Sequence, residues 1–532
     1  MNKNFLPLYF AFAIVLGIFI GTFFNGGASS SNLFASASSN EVKIKRLINY
    51  IQRDYVDSVD TDILLDGAIT QILGKLDPHS IYIPKERLQQ VTENMQGNFV
   101  GIGVQFRMIK DSITVIQPIK GGPSIKAGIL AGDRILIANT DTLYGKRLNS
   151  NKIPKYLKGQ PNTTVDLQVY RKTNDSIFTV SLTRGNVSIK SVAVSYMVND
   201  SIGYIKLERF ARTSYREFKT ALTTLQDKGM TDLILDLRGN GGGYIDIANK
   251  IIDEFLEEQK LIVFTKDNKG NIDKSFATSS GSFEQGGLYI LIDQNSASAS
   301  EIVAGALQDN DRGTTIGRRS FGKGLVQEEK DLGDGSAIRL TTARYYTPTG
   351  RSIQKPYEKG NGKGYSKDLN NRIRNGELLS KDSIKVIDSL KFKTPKGNTV
   401  YGGGGIVPDV FVAIDTTSYI SNLYYNTIQR FTFDLVDKNR KKFSQLSLDS
   451  FIENYEMDSA YKAYIKEINA GVSDIRKRLN QTYTPSEESK TMIKQYLKAS
   501  IANQIYGDEG FYRIIQSDDT MLLKVLELET TN

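Results

Sequence analysis

The residues best suited to chemistry lie between positions 295 and 327, where a group of serines follows an apolar run. Residues 288–293 are typical of a buried strand, and residues 301–308 favour a helix. A strand that turns into a helix through Ser-Ala-Ser-Ala-Ser places a hydroxyl beside the free N–H groups of the helix N-terminus. An acyl-transfer enzyme needs its nucleophile in such a place, so the pattern predicts a serine nucleophile.

A serine needs a base, and the sequence offers two candidates. One is the single histidine, His79, and the other is Lys323, which has a glycine on each side. A lysine acts as a base only when neutral, so burial must lower its pKa by about two to three units. We favour a Ser-Lys pair over a His79 triad, and we expect Lys323→Arg to abolish activity because an arginine stays charged.

Three motifs in this stretch, SASASEI, GALQD and SFGKGLVQ, resemble the carboxyl-terminal processing peptidases, or tail-specific proteases. That resemblance implies a Ser-Lys endopeptidase with Ser298 as the nucleophile and Lys323 as the general base. It also implies that Gln327 orients the lysine and that Asp309 is supportive rather than chemical. The DPHS turn around His79 and the segments 337–354 and 402–409 resemble the same family, whose dyad does not use the histidine.

Upstream, residues 97–187 alternate apolar and polar positions between glycines and resemble a PDZ domain. The glycine-containing loop of that fold binds the terminal carboxylate of a peptide, which then adds a strand to the sheet edge. The resemblance places this loop at Gly101, Ile102, Gly103 and Val104. The alternative is a small β domain in which the glycines only make turns.

A second glycine loop, Arg-Gly-Asn-Gly-Gly-Gly at 238–243, follows the apolar run 233–237 and precedes a helical pattern. Two strand-loop-helix units would bring two helix N-termini to one edge of an α/β sheet. We therefore expect an oxyanion hole built from the backbone N–H of Ala299 and that of Gly242 or Gly243. The sequence does not choose between the two glycines, and a purely structural turn is the alternative.

Other functional classes of protein fit the sequence less well. Residues 317–323 nearly match a phosphate loop, but Gly324 lacks the hydroxyl that would bind magnesium, and a strand pattern follows. No GxSxG motif is present, which disfavours an ordinary α/β-hydrolase. Two alternatives remain open: a PDZ scaffold of the cell envelope without catalysis, and a Ser-Lys hydrolase of cell-wall amides.

The amino-acid composition limits the possible partners and cofactors. The 532 residues contain no cysteine and one histidine, which argues against a zinc site, and we expect no metal or organic cofactor. A net charge of +9, with both signs interspersed, does not indicate nucleic-acid binding. The expected partners are protein or peptide substrates with free carboxyl termini, and an oligomer or adaptor contact through the carboxyl-terminal region.

The amino-terminal run 5–24 is apolar, uncharged and long enough to cross a bilayer. With Lys3 before it and no charge until Glu41, we expect the remainder to be exported. We predict an inner-membrane anchor of the bacterial envelope with a periplasmic catalytic domain. A cleaved signal peptide, giving a secreted enzyme, is the alternative.

The pattern as a whole predicts a multidomain α/β protein in which helical and β regions alternate. The expected parts are a signal anchor (1–26), a flexible linker (27–40), a helical region (41–95) and a PDZ-like β domain (96–188). They are followed by a peptidase core (189–417) with a polar insertion (355–398) and by a helical carboxyl-terminal region (418–532). We expect the insertion to be surface structure.

Overall fold

The structure, a computed structural model, describes residues 11–16, 39–145, 149, 152–416, 422–471 and 485–531. It separates into two units, Met1–Gln71 and Ile72–Asn532. The predicted membrane anchor lies outside the described residues except for 11–16, which are helical. Within the part of the chain that is described, no helix combines the length and apolar character needed to cross a bilayer.

The first unit contains helix α1 (Ser39–Asp54) and most of helix α2 (Thr61–Leu73). Both helices were predicted from apolar residues at helical spacing. The second unit begins with β1 (Ile81–Ile83) and α3 (Lys85–Gln96), which ends at Gly97 in the left-handed conformation. The short strand β1 was not predicted, because three residues carry too little periodicity to be recognised.

The region predicted to be PDZ-like is built on a sheet with the order β3-β4-β5-β7-β8, in which β6 pairs with β5, and on a separate β2-β9 pair. Its strands and helices are β2 (Asn98–Gly101), β3 (Val104–Ile109), β4 (Ser112–Pro118), α4 (Pro123–Lys126), β5 (Arg134–Ala138), β6 (Asp141–Thr142), α5 (Ile153–Leu157), β7 (Thr164–Arg171), β8 (Ser176–Thr183) and β9 (Gly185–Ser188). The alternating pattern over residues 99–106 forms two strands, because Gly103 has a φ of +77° and turns the chain between them.

The region predicted to be the peptidase core contains a six-stranded sheet with the order β10-β11-β12-β15-β16-β21, parallel except for β10. Its strands are β10 (Val192–Met197), β11 (Ile202–Leu207), β12 (Asp232–Asp236), β15 (Gly287–Ile292), β16 (Thr314–Gly317) and β21 (Val410–Phe411). Strand β11 is buried at every position. Buried parallel strands read as continuous apolar runs, which is why the sequence showed them clearly.

Three helices, α6 (Ser214–Gln226), α7 (Ile245–Asp253) and α8 (Ala299–Asp309), pack their buried residues against this sheet. A second sheet joins β1 to β13 (Leu261–Asp267), β14 (Ile272–Phe276), β17 (Leu325–Asp331) and β18 (Ala337–Tyr346). The insertion carries α9 (Gly362–Ser366), α10 (Asp368–Arg374) and β19 (Lys391–Lys393), which pairs with β20 (Thr399–Tyr401). It is not confined to the surface, because Arg372 and Glu377 are each only 4% exposed.

The carboxyl-terminal region is helical, as predicted, and its helices contact both preceding domains. They are α11 (Asn422–Phe443), α12 (Leu448–Asn454), α13 (Asp458–Gly471), α14 (Glu487–Tyr506), α15 (Asp508–Ile515) and α16 (Thr520–Thr531). On α11, Asp437 forms ion pairs with Arg134 and Lys172 of the PDZ-like region. On α16, Met521 and Val525 are buried in one apolar cluster with residues of β11, β12, β15 and β16.

Candidate active site

The serine cluster lies in the turn between β15 and α8, and its three hydroxyls have different surroundings. Ser296 and Ser300 are fully buried, and their hydroxyls donate to the carbonyls of Leu237 and Asn240, both at 2.9 Å. Ser298 is partly exposed and lines a cavity of about 440 Å³. Of the three serines, Ser298 is therefore the one whose hydroxyl can reach a ligand in the cavity.

The backbone at Ser298 is in an unusual conformation, with φ at +58° and ψ at −116°. A positive φ is uncommon for a residue with a side chain and costs about 1–3 kcal/mol. Such strain persists only where the surroundings fix the turn. Here the turn holds the serine at the N-terminus of α8, as the sequence predicted.

Lys323 lines the same cavity as Ser298. It lies in the loop 318–324, called the base loop below, which leads into β17. Its ammonium donates to Oε1 of Gln327 at 2.7 Å. Burial, helped by the charge of Arg339, lowers the pKa of Lys323 to about 8, although Glu301 and Asp77 oppose this shift. A pKa near 8 makes a neutral lysine accessible close to physiological pH.

Gln327 connects the lysine to the turn that contains the single histidine. Its side-chain amide donates to the backbone carbonyl of His79, while its oxygen receives the lysine. The ring of His79 is hydrogen-bonded through Nε2 to the hydroxyl of Tyr365 at 2.9 Å. Burial and nearby Lys323 lower the pKa of His79 to about 4, so the ring is neutral at pH 7. The backbone carbonyl of His79 thus helps to position Gln327, whereas the ring of His79 is hydrogen-bonded to Tyr365.

Glu301, three residues after Ser298, is a site residue that the sequence reasoning missed. Its side chain is fully buried, and it accepts hydrogen bonds from two segments. One is the turn 294–298, which holds the predicted nucleophile and is called the nucleophile turn below, and the other is the base loop. Oε2 accepts from the backbone N–H groups of Ser298 and Lys323 at 2.8 and 2.9 Å. Oε1 accepts from Gly322 N–H at 2.6 Å and from the Ser320 hydroxyl at 2.5 Å.

Burial raises the pKa of Glu301, and these hydrogen bonds oppose the rise. The Ser-x-x-Glu spacing from Ser298 to Glu301 is a capping box, a sequence signal that was available. That signal predicts the contact with Ser298 but not the contacts with the base loop. One carboxylate therefore joins the two segments that carry Ser298 and Lys323.

The glycine loop 239–243 packs directly on the nucleophile turn. A β-carbon on Gly242 would stand 2.8 Å from that of Ser298 and 2.9 Å from the nitrogen of Ala299. The side chain of Asn240 accepts the N–H of Gly242 at 2.9 Å, and its backbone carbonyl accepts the N–H of Ala297 at 3.0 Å. Asn240 thus ties the glycine loop to the serine turn.

Gly243 forms a parallel bridge with Phe210, in which the neighbouring peptides make the hydrogen bonds. Phe210 donates to the carbonyl of Gly242 at 3.1 Å, and Tyr244 donates to the carbonyl of Phe210 at 2.8 Å. In this pattern the N–H of Gly243 itself points away from Phe210. Gly242 and Gly243 both line the cavity that contains Ser298 and Lys323.

The remaining predicted residues lie elsewhere. Asp309, at the end of α8, pairs with the fully buried Arg351 at 2.6 Å and accepts the hydroxyl of Thr349 at 2.6 Å. In the PDZ domain, the carbonyl of Ile102 accepts both the N–H and the hydroxyl of Ser124, which fixes the loop from Gly101 to Val104.

Lys158 stands beside this loop, through a backbone bridge to Gly101. Its ammonium lies 4.6 Å from the ring centre of Phe99 and contacts the carboxylate of Glu93 on α3. The sequence reasoning did not identify Lys158, because its position at the loop depends on the pairing of residues 57 positions apart.

Comparison with known proteins assigns families to three parts of the chain. Peptidase family S41 matches residues 201–361, and the PDZ domain matches residues 100–182. A family of unknown function matches residues 419–507.

Two curated relatives agree with these matches. The chain is 38% identical over 309 residues to a carboxy-terminal-processing protease of Bartonella bacilliformis, covering 57% of this chain and 70% of the relative. It is 32% identical over 316 residues to the carboxy-terminal processing protease CtpB of Bacillus subtilis, covering 59% of this chain and 65% of the relative. The solved structure of a photosystem II D1 C-terminal processing protease is 25% identical, covers 71% of this chain and 94% of its own, and gives a TM-score of 0.36. From the first of these relatives and the two family matches we conclude that the chain belongs to peptidase family S41, among the carboxy-terminal processing serine proteases that carry a PDZ domain.

Proposed function

We propose that the protein is an exported endopeptidase that cleaves protein substrates near their carboxyl termini with a Ser298–Lys323 dyad. The observation that carries this proposal is that Ser298 and Lys323 line one cavity, with the amine held by Gln327 and its pKa lowered to about 8. A hydroxyl exposed at a helix N-terminus beside a lysine of lowered pKa is an arrangement suited to acyl transfer.

In the proposed reaction, the neutral amine of Lys323 takes the proton of Ser298 as Oγ attacks the peptide carbonyl. The tetrahedral intermediate collapses when the same lysine gives that proton to the departing amine, which leaves an ester on Ser298. Water then attacks the ester, Lys323 takes one of its protons and returns it to Oγ, and the acid is released. Gln327 keeps the amine directed into the cavity during these transfers.

For the oxyanion, the proposed donors are the backbone N–H groups of Ala299 and Gly243. Gly242 is the weaker candidate, because its N–H donates to the side chain of Asn240. The direction of the Gly243 N–H, away from Phe210, supports this choice. Each such donor contributes about 3 kcal/mol to the transition state in enzymes of this kind.

The proposed role of the PDZ domain is to bind the carboxyl-terminal tail of the substrate and so to govern its access to the site. The loop from Gly101 to Val104 offers backbone N–H groups for a carboxylate, and among the residues that the structure describes β3 pairs with β4 alone. A tail could therefore add to the remaining edge of β3 with its carboxylate at this loop, where Lys158 is bridged to Gly101 by its backbone and contacts Glu93 with its ammonium.

Export and membrane anchoring are part of the proposal and rest on the apolar run 5–24 and Lys3. Protease treatment of whole cells and spheroplasts tests them. We expect digestion of the catalytic region only after the outer barrier is opened, and recovery of the chain with the membrane fraction. Recovery in the cytosol would contradict export.

The dyad is tested by digesting an unfolded protein that has an apolar carboxyl terminus with the full-length chain in detergent. We expect wild type and the exposed-lysine control Lys363→Ala to cut, and Ser298→Ala and Lys323→Ala to be inert. If both dyad variants cut like wild type, the assignment is wrong. If wild type binds the tail without cutting, the scaffold alternative is correct.

A further inference from the structure

The insertion 355–398 packs on the base loop from the side opposite Glu301. The most deeply placed contact is Arg372 on α10, which is 4% exposed. Its guanidinium donates to the carbonyls of Ser320 and Arg319 at 3.0 and 2.6 Å, and to Glu377 at 2.7 Å. A surface insertion would not need to bury an arginine in this way, since a buried charge is costly unless its partners are well placed.

Glu377 in turn binds Arg319 of the base loop. Its two oxygens accept from Nε and Nη2 of Arg319 at 2.7 and 2.6 Å. The same arginine donates to the carbonyl of Gly404 at 2.9 Å. One carboxylate of the insertion therefore lies between Arg372 of the insertion and Arg319 of the base loop.

An aromatic contact holds the middle of the base loop. The ammonium of Lys355 stands 3.9 Å from the ring centre of Phe321 and 4.2 Å from that of Tyr365, and its backbone N–H donates to the carbonyl of Gly322 at 3.0 Å. The hydroxyl of Tyr365 reaches Nε2 of His79, whose carbonyl receives the side chain of Gln327. The insertion is thus linked to the orienting partner of Lys323.

Two elements bind the backbone of the base loop around Lys323, in addition to bonds from the loop to Ser296 and Ile406. Its N–H groups at Gly322 and Lys323 donate to Glu301 on the nucleophile helix. Its carbonyls at Arg319, Ser320 and Gly322 accept from the insertion. Because backbone groups that lose their partners inside a protein are costly, the position of this loop depends on both elements.

We propose that the insertion 355–398 is a brace that fixes the base loop, and that Arg372 and Tyr365 are positioning residues for Lys323. This inference rests on the proposed dyad. Within the described structure, the residues that line the catalytic cavity include none from the insertion. The brace therefore acts on the chemical step through the loop, and it leaves the surface that receives substrate unchanged.

Loosening the brace has a specific consequence for the pH profile. Lys323 faces Arg339 on β18, Glu301 on α8, and Asp77 and His79 in the turn, and burial is the largest cause of its lowered pKa. A looser loop admits water, which reduces the desolvation and raises the pKa of Lys323 toward its ordinary value. The neutral fraction at a given pH falls, so the acid limb of kcat/KM moves to higher pH.

The test compares Arg372→Gln with Arg374→Gln, which changes an exposed arginine on the same helix. Both are measured in the full-length chain, with kcat, KM and the pH profile on one peptide and with thermal unfolding. We expect Arg372→Gln to lower kcat by about tenfold or more, to leave KM within about twofold, and to shift the acid limb upward by about half a pH unit. Arg374→Gln should match wild type.

Tyr365→Phe is the second variant, because it removes one oxygen atom and keeps the ring beside Lys355. It should show the same direction of change even if Arg372→Gln does not fold. The brace is refuted if Tyr365→Phe, together with any folded Arg372→Gln, keeps the wild-type kcat and pH profile. Ser298→Ala and Lys323→Ala in the same assay separate the two proposals: cutting by these variants refutes the dyad itself, whereas their inactivity leaves only the brace in question.

Discussion

Gly242 lies directly against Ser298, so that a β-carbon built on the glycine would be 2.8 Å from that of the serine. β-Carbons do not approach non-bonded heavy atoms this closely in folded proteins. The φ of +98° at Gly242 is also unfavourable for residues other than glycine. We predict that Gly242→Ala displaces the nucleophile turn and lowers kcat by about 100-fold. The measurement is peptide cleavage under saturating substrate.

Gly241 provides the matched control for that prediction. A β-carbon there would meet no atom within 4 Å, and the residue lies in the same loop and lines the same cavity. Gly241→Ala should retain most of the wild-type kcat. Equal losses in the two variants would mean that the loop needs general flexibility, and the close approach to Ser298 would not be the cause.

Glu301→Gln keeps the size of the side chain and exchanges one acceptor oxygen for an NH2 group. The NH2 group would face the backbone N–H groups of Ser298 and Lys323, which are themselves donors. We predict a loss of unfolding free energy of about 1–3 kcal/mol and a fall in kcat larger than the fall in stability would explain. Thermal unfolding and single-turnover cleavage measure the two effects, and wild-type kcat at reduced stability would contradict the positioning role.

The lowered pKa of Lys323 has an effect on stability that needs no substrate. The folded pKa of about 8 lies below the unfolded value of about 10.4, so the unfolded chain binds more protons between these pH values. The unfolding free energy of wild type therefore rises from pH 8 to pH 10.4 through this group, and below pH 8 the folded state bears the cost of a buried charge.

Lys323→Met removes that cost. We predict that it stabilises the protein at pH 7 by about 1–2 kcal/mol, a figure reduced for the partial exposure of the amine, and that the gain disappears above about pH 10. Denaturant unfolding at both pH values measures it, with exposed Lys363→Met as the control. A gain of equal size at pH 7 and pH 10 would show that the effect is apolar packing instead.

Lys158 should discriminate between substrate tails. We predict that Lys158→Ala raises KM about fivefold to tenfold for a peptide with a free carboxyl terminus, because one charge-assisted contact is lost. The same peptide with an amidated terminus should show little change, and Lys155→Ala, an exposed position on α5, should leave both unaffected. An equal effect on both peptides would remove Lys158 from carboxylate recognition.

Much of the fold could be predicted because it depends on local pattern. The apolar runs identified at 233–237 and 288–293 are strands β12 and β15, and the helix predicted at 301–308 is α8. Buried strands and amphipathic helices leave a periodic record in the sequence. The family motifs added Ser298, Lys323 and Gln327, which share the cavity.

What could not be predicted depends on contacts between distant segments. The four hydrogen bonds of Glu301 join positions up to 22 residues apart, and only its contact with Ser298 has a sequence signature. The insertion has a polar composition that favours a surface location, yet Arg372 and Glu377 are buried together because they pair. A charged residue shows its burial only when its partner is known.

The last helix of the described chain, α16, completes the apolar core of the peptidase sheet. Met521, Leu522 and Val525 pack with Tyr204, Ile234 and Leu291, and Asp519 binds Arg238 at 2.6 Å beside the glycine loop. This side of the core is therefore closed by contacts between segments as far as 281 residues apart, from Arg238 to Asp519. Local folding of the strands alone leaves these apolar side chains exposed, so the last part of the core to form is the one with the longest loop to close.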